Sequence, residues 1–290
     1  MKLAAVLSIL IVFPFFSSAQ VSKHKKKHST DAGTFFFNWG YNRSYYTHSD
    51  IRFVGSNYDF TLKNVVAHDR PDPFKVNVYF NPTTLTVPQY NGRFGYYIRN
   101  KWAITFGVDH YKYVMANHNH VLLDGHIDEG IDNNWGGNYT DEPVVTDIDT
   151  FHYENTNGVN LLRFELMRSF DLWEFGSKRQ IALTANIGAG LGPVLTFNDL
   201  NFAREHTFAT PSISGFALGL NGSVRLEFFK HFFVSMESGL AYVNLPHVRT
   251  RANDRNQFAR QQFGLSSYYA TAGLLLYFRP RNGCDSCPNW

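Results

Sequence analysis

The chain has 290 residues, a net charge of +3 and an aromatic content of 17%. Its mean hydropathy of −0.27 excludes a bundle of membrane-spanning helices, and its two cysteines exclude a disulfide-rich scaffold. The high aromatic content is typical of the interfacial girdles of a membrane β-barrel.

The first 33 residues have the pattern of an export signal followed by a polar tail. Residues 1–19 combine an early lysine, an apolar run over 3–16 and a small-residue cut site near Ala19, which predicts a secretory signal peptide. Its roughly 14 apolar residues are fewer than the ~20 that a transmembrane helix needs. Residues 20–33 are rich in lysine and histidine and are predicted to be a basic periplasmic tail, either solvated or in contact with anionic headgroups.

Eight segments after this tail alternate apolar and polar residues over about ten positions, which is typical of strands that cross a membrane in a barrel. In one of them Leu162 and Phe164 lie on one face, whereas Arg163 and Glu165 lie on the other. The predicted strands cover residues 34–46, 90–98, 102–115, 158–170, 181–191, 216–228, 232–242 and 268–278.

The gaps between these segments are alternately long and short. The long gaps are 47–89, 116–157, 198–215 and 244–267, and the short ones are 99–101, 171–180 and 230–231. Outer-membrane barrels show this alternation, since their turns are short on the periplasmic side and their loops are long on the extracellular side. We therefore predict an all-β fold over residues 34–279, an eight-stranded antiparallel transmembrane β-barrel. The alternative is a soluble β-sandwich or a barrel that holds a ligand in its lumen. It explains neither the export signal combined with apolar rows turned outward nor the alternation of the gaps.

Charged residues fall on the polar rows of the predicted strands. An arginine turned toward lipid would cost roughly 2–4 kcal/mol at the bilayer midplane, so these rows are expected to face the barrel interior. Eight strands enclose only enough room for side chains, which predicts an ionic plug and no wide pore. The predicted interior network consists of Arg93, Asp109, Arg163, Glu165, Arg225, Glu227 and Glu237.

Three-residue turns would place two ion pairs across neighbouring strands of this network. Arg93 would then lie opposite Asp109, and Arg225 would lie opposite Glu237. A strand register shifted by two residues is also allowed, so the pairing is a hypothesis.

The architecture of residues 34–278 resembles the OmpA-like and OmpW-like group of small outer-membrane barrels. The segments FFFNWGYNRSYYTHSDI, YDFTLKNVVAHDRP and GVDHYKYVM are similar to an uncharacterised family of Gram-negative outer-membrane proteins. That family has no assigned chemistry, so the resemblance implies no catalytic residue. Phe278, with Leu274 and Leu276 at the same parity, resembles the terminal signal that the barrel-assembly machinery recognises. The chain departs from that pattern, because 12 residues follow Phe278.

The third gap, 116–157, is acidic and contains no lysine or arginine. Carboxylates suit calcium, and nearby histidines suit transition metals, so a divalent-cation site is one interpretation. A solvated acidic loop is the other, since no calcium-loop or HExxH spacing is present. The candidate ligands are Asp124, Asp128, Glu129, Asp132, Asp147 and Asp149.

The last gap, 244–267, has the opposite charge. It is expected to bind the phosphates of lipopolysaccharide or to pair with the acidic loop. Its candidate residues are Arg249, Arg251, Arg255 and Arg260. The first gap, 47–89, is itself β-prone and predicts either a hairpin that extends the barrel wall or a segment that folds over the mouth.

Two further patterns contain residue types found in catalytic sites, but neither predicts a catalytic site here. Asp109 and His110 are neighbours, but strand alternation directs them to opposite faces, so a hydrolase triad is not expected. Cys284 and Cys287 lie in the C-terminal periplasmic tail, 280–290, where the oxidising compartment predicts a local disulfide.

The sequence thus predicts a non-enzymatic outer-membrane barrel with a structural or surface-binding role. The alternatives are a narrow or gated channel for small solutes and a lipid-modifying hydrolase. No cofactor or metal is expected. The expected partners are outer-membrane lipid, lipopolysaccharide and the barrel-assembly machinery, with no role for nucleic acid. The oligomeric state stays open.

Overall fold

The computed structural model describes residues 28–278, apart from 82, 85–86 and 177–178. The signal peptide, most of the basic tail and the two cysteines therefore lie outside the described residues. The strands are β1 (Thr34–Tyr46), β2 (Ser49–Gly55), β3 (Tyr58–Val65), β4 (Ala67–His68), β5 (Tyr90–Arg99), β6 (Trp102–Met115), β7 (His120–Ile127), β8 (Gly137–Val145), β9 (His152–Phe175), β10 (Ile181–Phe202), β11 (Glu205–Phe228), β12 (Phe232–Arg249) and β13 (Phe258–Tyr277), and the short helix α1 covers Val76–Tyr79.

Eight of these strands form a closed antiparallel ring in the order β1-β5-β6-β9-β10-β11-β12-β13. The ring closes where β1 pairs with β13, from Thr34 opposite Tyr277 to Tyr46 opposite Leu265. The eight predicted strands are confirmed. The N-terminus and the short turns lie at one end, which we call the periplasmic end, and the long connections lie at the opposite, extracellular end.

The two faces of the ring wall differ sharply in polarity. On β9 the outward side chains of Phe164 and Leu166 are 54% and 49% exposed, whereas the inward side chains of Arg163 and Glu165 are each 5% exposed. An apolar exterior around a charged interior is stable only when hydrocarbon surrounds the wall. The ring is therefore a transmembrane barrel. Among the described residues, no helix has the length and apolar character to cross a bilayer.

Five of the ring strands, β9–β13, extend further at the extracellular end than the sequence predicted, whereas β1, β5 and β6 match the prediction to within one residue. Strands β9, β10 and β11 have 24, 22 and 24 residues, whereas ~9–11 suffice to cross a membrane. The predicted loop 198–215 is in fact the tip of the β10–β11 hairpin, which turns at Ala203 and Arg204. Both residues have positive φ, 58° and 59°, as a two-residue hairpin turn of the favoured type requires.

The same sheet continues the wall above the membrane. The β2–β3 hairpin pairs with the upper part of β13, and the sheet then continues through β7 to β8. Of the two interpretations of the first gap, the hairpin that extends the wall is the one observed. This extracellular sheet consists of β2, β3, β7 and β8 together with the upper parts of β9–β13. Its inner face packs a large apolar core that includes Phe53, Phe60, Phe151 and Phe202.

Residues 28–33, which the sequence assigned to the basic tail, fold across the periplasmic end of the barrel. Ser29 and Thr30 are each 1% exposed. The Ser29 hydroxyl donates a hydrogen bond to Glu227 Oε1 at 2.7 Å, and the Lys101 backbone N–H donates to the Thr30 carbonyl at 2.7 Å. This part of the tail is therefore packed against the barrel.

Candidate functional site

The predicted ionic residues gather into two clusters inside the ring. In the upper cluster, the Arg93 guanidinium lies 2.6 Å from Glu237 and 3.1 Å from Asp109. Arg163 lies 3.1 Å from Glu237, 3.2 Å from Asp109 and 3.6 Å from Glu165. Both arginines also face the ring of Tyr269, at 5.2 and 5.9 Å. These contacts cross the lumen from several strands, so they fill its cross-section.

The lower cluster lies nearer the periplasmic end. Arg225 lies 2.8 Å from Glu227 and donates a hydrogen bond to the Tyr97 hydroxyl at 3.3 Å. Arg179, in the β9–β10 turn, approaches the same Glu227 to 3.5 Å. The space between the two clusters is only about 20 Å³, roughly the room that one water molecule needs.

One of the two predicted ion pairs forms and the other does not. The predicted contact between Arg93 and Asp109 forms at 3.1 Å, but the two residues are not opposite each other, because Arg93 lies opposite Gly107 and Asp109 lies opposite Asn91. The Arg225–Glu237 pair is wrong, because Arg225 lies opposite Ser235 and Glu237 lies opposite Ser223. The β11–β12 turn sets this register, which differs by two residues from the one that the pair needs. Glu237 pairs with Arg93 and Arg163 instead.

Tyrosines close the lumen above the upper cluster, where the extracellular core begins. The hydroxyls of Tyr111 and Tyr269 lie 2.5 Å apart, and Ser267 donates to the Tyr269 hydroxyl at 2.8 Å. Higher up, the ring of Phe60 packs against Phe53 and Phe202, with centroids 5.3 and 5.1 Å apart. The parity of the sequence placed Tyr269 on the polar row, but it gave no sign that the interior becomes aromatic above it.

The acidic loop 116–157 does not assemble a cation site. Within the described part of the chain, no group of three or more His, Cys, Asp or Glu side chains is arranged to hold a metal ion. The loop folds into β7 and β8, and its carboxylates make separate local contacts. Asp124 lies 3.4 Å from Lys63, and Asp128 lies 2.8 Å from His126, whose pKa this contact raises. Asp132 accepts backbone N–H groups in its own turn.

Arg251 is not a lipid contact, contrary to the prediction. It is 3% exposed, and its guanidinium donates hydrogen bonds to the carbonyls of Leu200 and Phe202 at 3.2 and 2.7 Å. It also lies 3.3 Å from Glu205. The side chain points inward and joins the β12–β13 connection to the tip of the β10–β11 hairpin.

The other three arginines of the basic segment share the outer face of the extracellular sheet with His247. We call His247, Arg249, Arg255 and Arg260 the cationic rim. Burial, together with the positive charges of Arg260 and Arg249, lowers the pKa of His247. In the described part of the chain, none of the three rim arginines forms an ion pair with the acidic loop. The predicted pairing of the two loops is therefore wrong.

A groove of about 540 Å³ lies beside the cationic rim, between β10, β11 and β12. Its floor is apolar, with Leu195, Phe197, Pro211 and Ile213, and His247, Arg249 and Arg255 line its edge. Ile213 is 75% exposed. His247 and the groove were missed because the sequence placed this segment in a loop, where parity has no meaning.

Asp109 and His110 face opposite sides of the wall, as alternation predicted. Asp109 is fully buried in the upper cluster. The His110 ring instead stacks on Tyr90, with centroids 5.0 Å apart, and its Nδ1 lies 2.7 Å from Asn160 Oδ1. The two side chains therefore do not belong to one triad.

Comparison with solved structures finds small outer-membrane barrels. AlkL, solved in lipid bilayers, aligns with a TM-score of 0.42 and 10% identity over 91% of this chain and 100% of its own. OprG from Pseudomonas aeruginosa aligns with a TM-score of 0.35 and 9% identity, over 86% of this chain and 98% of its own. Ail, the attachment invasion locus protein of Yersinia pestis, has a TM-score of 0.32 and 10% identity, with 84% and 99% covered. No protein-family model and no curated protein matches the chain.

Proposed function

We propose that this chain, an eight-stranded β-barrel protein of the outer membrane, is a sealed, non-catalytic scaffold that acts through the surface of its extracellular sheet. One observation carries the proposal: the described interior is filled from end to end. A barrel whose lumen is closed can interact with other molecules only through its outer surfaces.

The filling changes in character along the barrel axis. Ser29 and Thr30 cover the periplasmic end, and each is 1% exposed. Above them lie the lower and upper ionic clusters, and then the tyrosine layer around Tyr111 and Tyr269. The aromatic core of the extracellular sheet completes the seal. Opening a path for solutes would require breaking buried ion pairs, which costs about 3–5 kcal/mol where a charge is left buried without its partner.

Conductance across a planar bilayer tests the seal. We expect the refolded protein to insert without producing steady single-channel currents, whereas a porin in the same bilayer gives them. Insertion should be verified separately, by the shift in gel mobility between heated and unheated samples. Steady currents from inserted protein would overturn the proposal in favour of a narrow channel.

The absence of catalysis needs its own experiment. Lipid A from a heterologous host that expresses the protein should have the same mass as lipid A from the host that lacks it. Loss of an acyl chain or of a phosphate, abolished when His110 is replaced by alanine, would point to the lipid-modifying hydrolase instead.

A further inference from the structure

The cationic rim lies where the lipid-facing surface ends. Along β11 the outward apolar row runs through Leu220 and Leu218, which are 65% and 47% exposed, and reaches Ile213. On neighbouring β12 the outward row continues from Leu240 and Tyr242 to His247. At ~3.3 Å per residue and a strand tilt of ~40°, Ile213 stands about 13 Å above Leu218 along the barrel axis. The rim is therefore at the level of the headgroups of the outer leaflet.

The rim arginines are not paired with a carboxylate among the described residues. In the described residues, Arg249, Arg255 and Arg260 form no ion pair. Arg249 donates a hydrogen bond to the Ala252 carbonyl at 2.6 Å. Arg260 lies directly opposite Arg52 in the β13–β2 pair. Like charges at opposed positions destabilise a sheet unless something neutralises them.

Asp59, a carboxylate that interacts electrostatically with Arg260, is already paired with another arginine. Asp59 accepts two hydrogen bonds from Arg52, at 2.7 and 2.6 Å. Arg260 stands instead over the Phe258 ring at 5.1 Å, and the His247 ring lies 4.4 Å from the same Phe258. Phe258 thus holds the Arg260 guanidinium and the His247 imidazole close together.

The groove supplies the apolar part of an amphiphile site. Leu195, Phe197 and Ile213 form a floor that continues the lipid-facing surface, and Arg249 and Arg255 stand at its edge. Guanidinium groups suit phosphate because they donate two parallel hydrogen bonds to it. Charge at the rim and apolar surface in the groove together match a molecule that carries a phosphate next to acyl chains.

We propose that the cationic rim and its groove bind a phosphate group of an outer-leaflet glycolipid, with an acyl chain along the groove floor. This inference rests on the proposed function, since it takes the outer surface as the working surface. The proposed ligand is a phosphate group carried by a lipid. Binding of free inorganic phosphate in its place is one result that the test below can distinguish.

Native mass spectrometry of the full chain in detergent provides the test, with diphosphorylated lipid A as the probe. Replacing Arg249 and Arg255 by glutamine should weaken lipid A binding about tenfold or more, because each removes a charge-assisted hydrogen bond. Arg99→Gln changes an exposed arginine at the periplasmic end and should leave binding within about twofold, since surface substitutions elsewhere have small effects.

Two further arms identify the part of the lipid that is recognised. Dephosphorylated lipid A should bind the unaltered protein about tenfold more weakly or worse, by the same loss of charge-assisted bonds. Inorganic phosphate at equal concentration should not displace the lipid. Equal binding of both lipid A forms, or equal losses for the Arg99 and rim variants, would overturn the proposal. Full displacement by inorganic phosphate would overturn its commitment to lipid.

The pKa of His247 provides a second test, because it should change if the rim binds phosphate and stay the same if the rim is purely structural. The charged groups that face it are Arg249 on its own strand, Arg255 at the edge of the groove and Arg260 on β13, and all are positive. Bound phosphate adds the missing negative charge, so the pKa of His247 should rise on binding and binding should tighten as the pH falls through it. An NMR titration with an unchanged His247 pKa would contradict the assignment. Conductance is measured separately from lipid binding. A protein that does not conduct and whose rim does not bind lipid A would refute this inference and leave the proposed function intact.

Discussion

The membrane-spanning half of the barrel and its extracellular half are built with opposite polarity. Below, apolar side chains face outward and Arg163 and Glu165 fill the interior. Above, the interior is aromatic, with Phe60 only 1% exposed, and charged residues such as Arg260 face outward. A single continuous wall thus inverts its polarity along its length.

On strand β9, a single row of inward side chains changes from charged to apolar. Glu165 and Arg163 face the lumen in the upper ionic cluster, whereas Leu161 and Val159, the next two inward residues, are 3% and 2% exposed in the apolar core. The pairing of β9 with β6 continues without interruption from Leu166 to Leu161 of β9. The change therefore comes from the surroundings: hydrocarbon outside allows charge inside, and water outside favours an apolar interior.

The largest loss of stability should come from removing one charged side chain of the upper ionic cluster. Arg163→Leu leaves Asp109, Glu165 and Glu237 facing Arg93 alone, and breaking a buried pair in this way costs about 3–5 kcal/mol. Chemical unfolding in lipid vesicles measures it. Arg99→Leu, at an exposed arginine of the periplasmic end, is the matched control and should change the unfolding free energy by about 0.5 kcal/mol or less. Equal effects of the two variants would mean that the lumen is hydrated and screened.

A somewhat smaller loss is expected from the extracellular core. Phe60→Ala removes a ring packed against Phe53 and Phe202 and should destabilise the extracellular sheet by about 3 kcal/mol. Hydrogen exchange of β2, β3 and β7 amides detects the loss locally, while the spanning strands keep their protection. Phe208→Ala, at a side chain that is 73% exposed, is the control. Loss of protection throughout the barrel would show that the two halves unfold as one unit.

The smallest effect tests the inversion on the outer surface. Leu166→Arg places a charge toward hydrocarbon and should cost about 2 kcal/mol, whereas Thr140→Arg at an exposed position of β8 should cost close to nothing. Both are measured by unfolding of the protein from vesicles. If Thr140→Arg proved as costly as Leu166→Arg, the membrane would have to reach the extracellular sheet.

The sequence revealed the spanning half because a single rule operates there. Parity located the eight strands, the interior charges and the short turns, since every outward residue meets the same hydrocarbon. The rule fails above Arg163, where the outward residues become polar and the strands were predicted to end. The hairpin at Ala203 and Arg204 carries neither glycine nor asparagine, so the usual turn signal is absent from the sequence.

The candidate sites were predictable only in part, for a related reason. Composition identified Arg249, Arg255 and Arg260, but it could not separate them from Arg251, whose inward direction depends on the path of the β12–β13 connection. Likewise, the partner of Arg225 depends on the length of one turn. Charge content is a property of sequence, whereas the direction of a side chain in a connection is a property of the fold.

The closure between β1 and β13 has a consequence for biogenesis. Its side-chain contacts join positions very far apart in the chain, such as Asn38 and Thr271, which are 233 residues apart. Until the last strand has been exported, both β1 and β12 present unpaired edges, which are templates for aggregation. Almost the whole polypeptide must therefore stay apart from its neighbours before the cylinder can close.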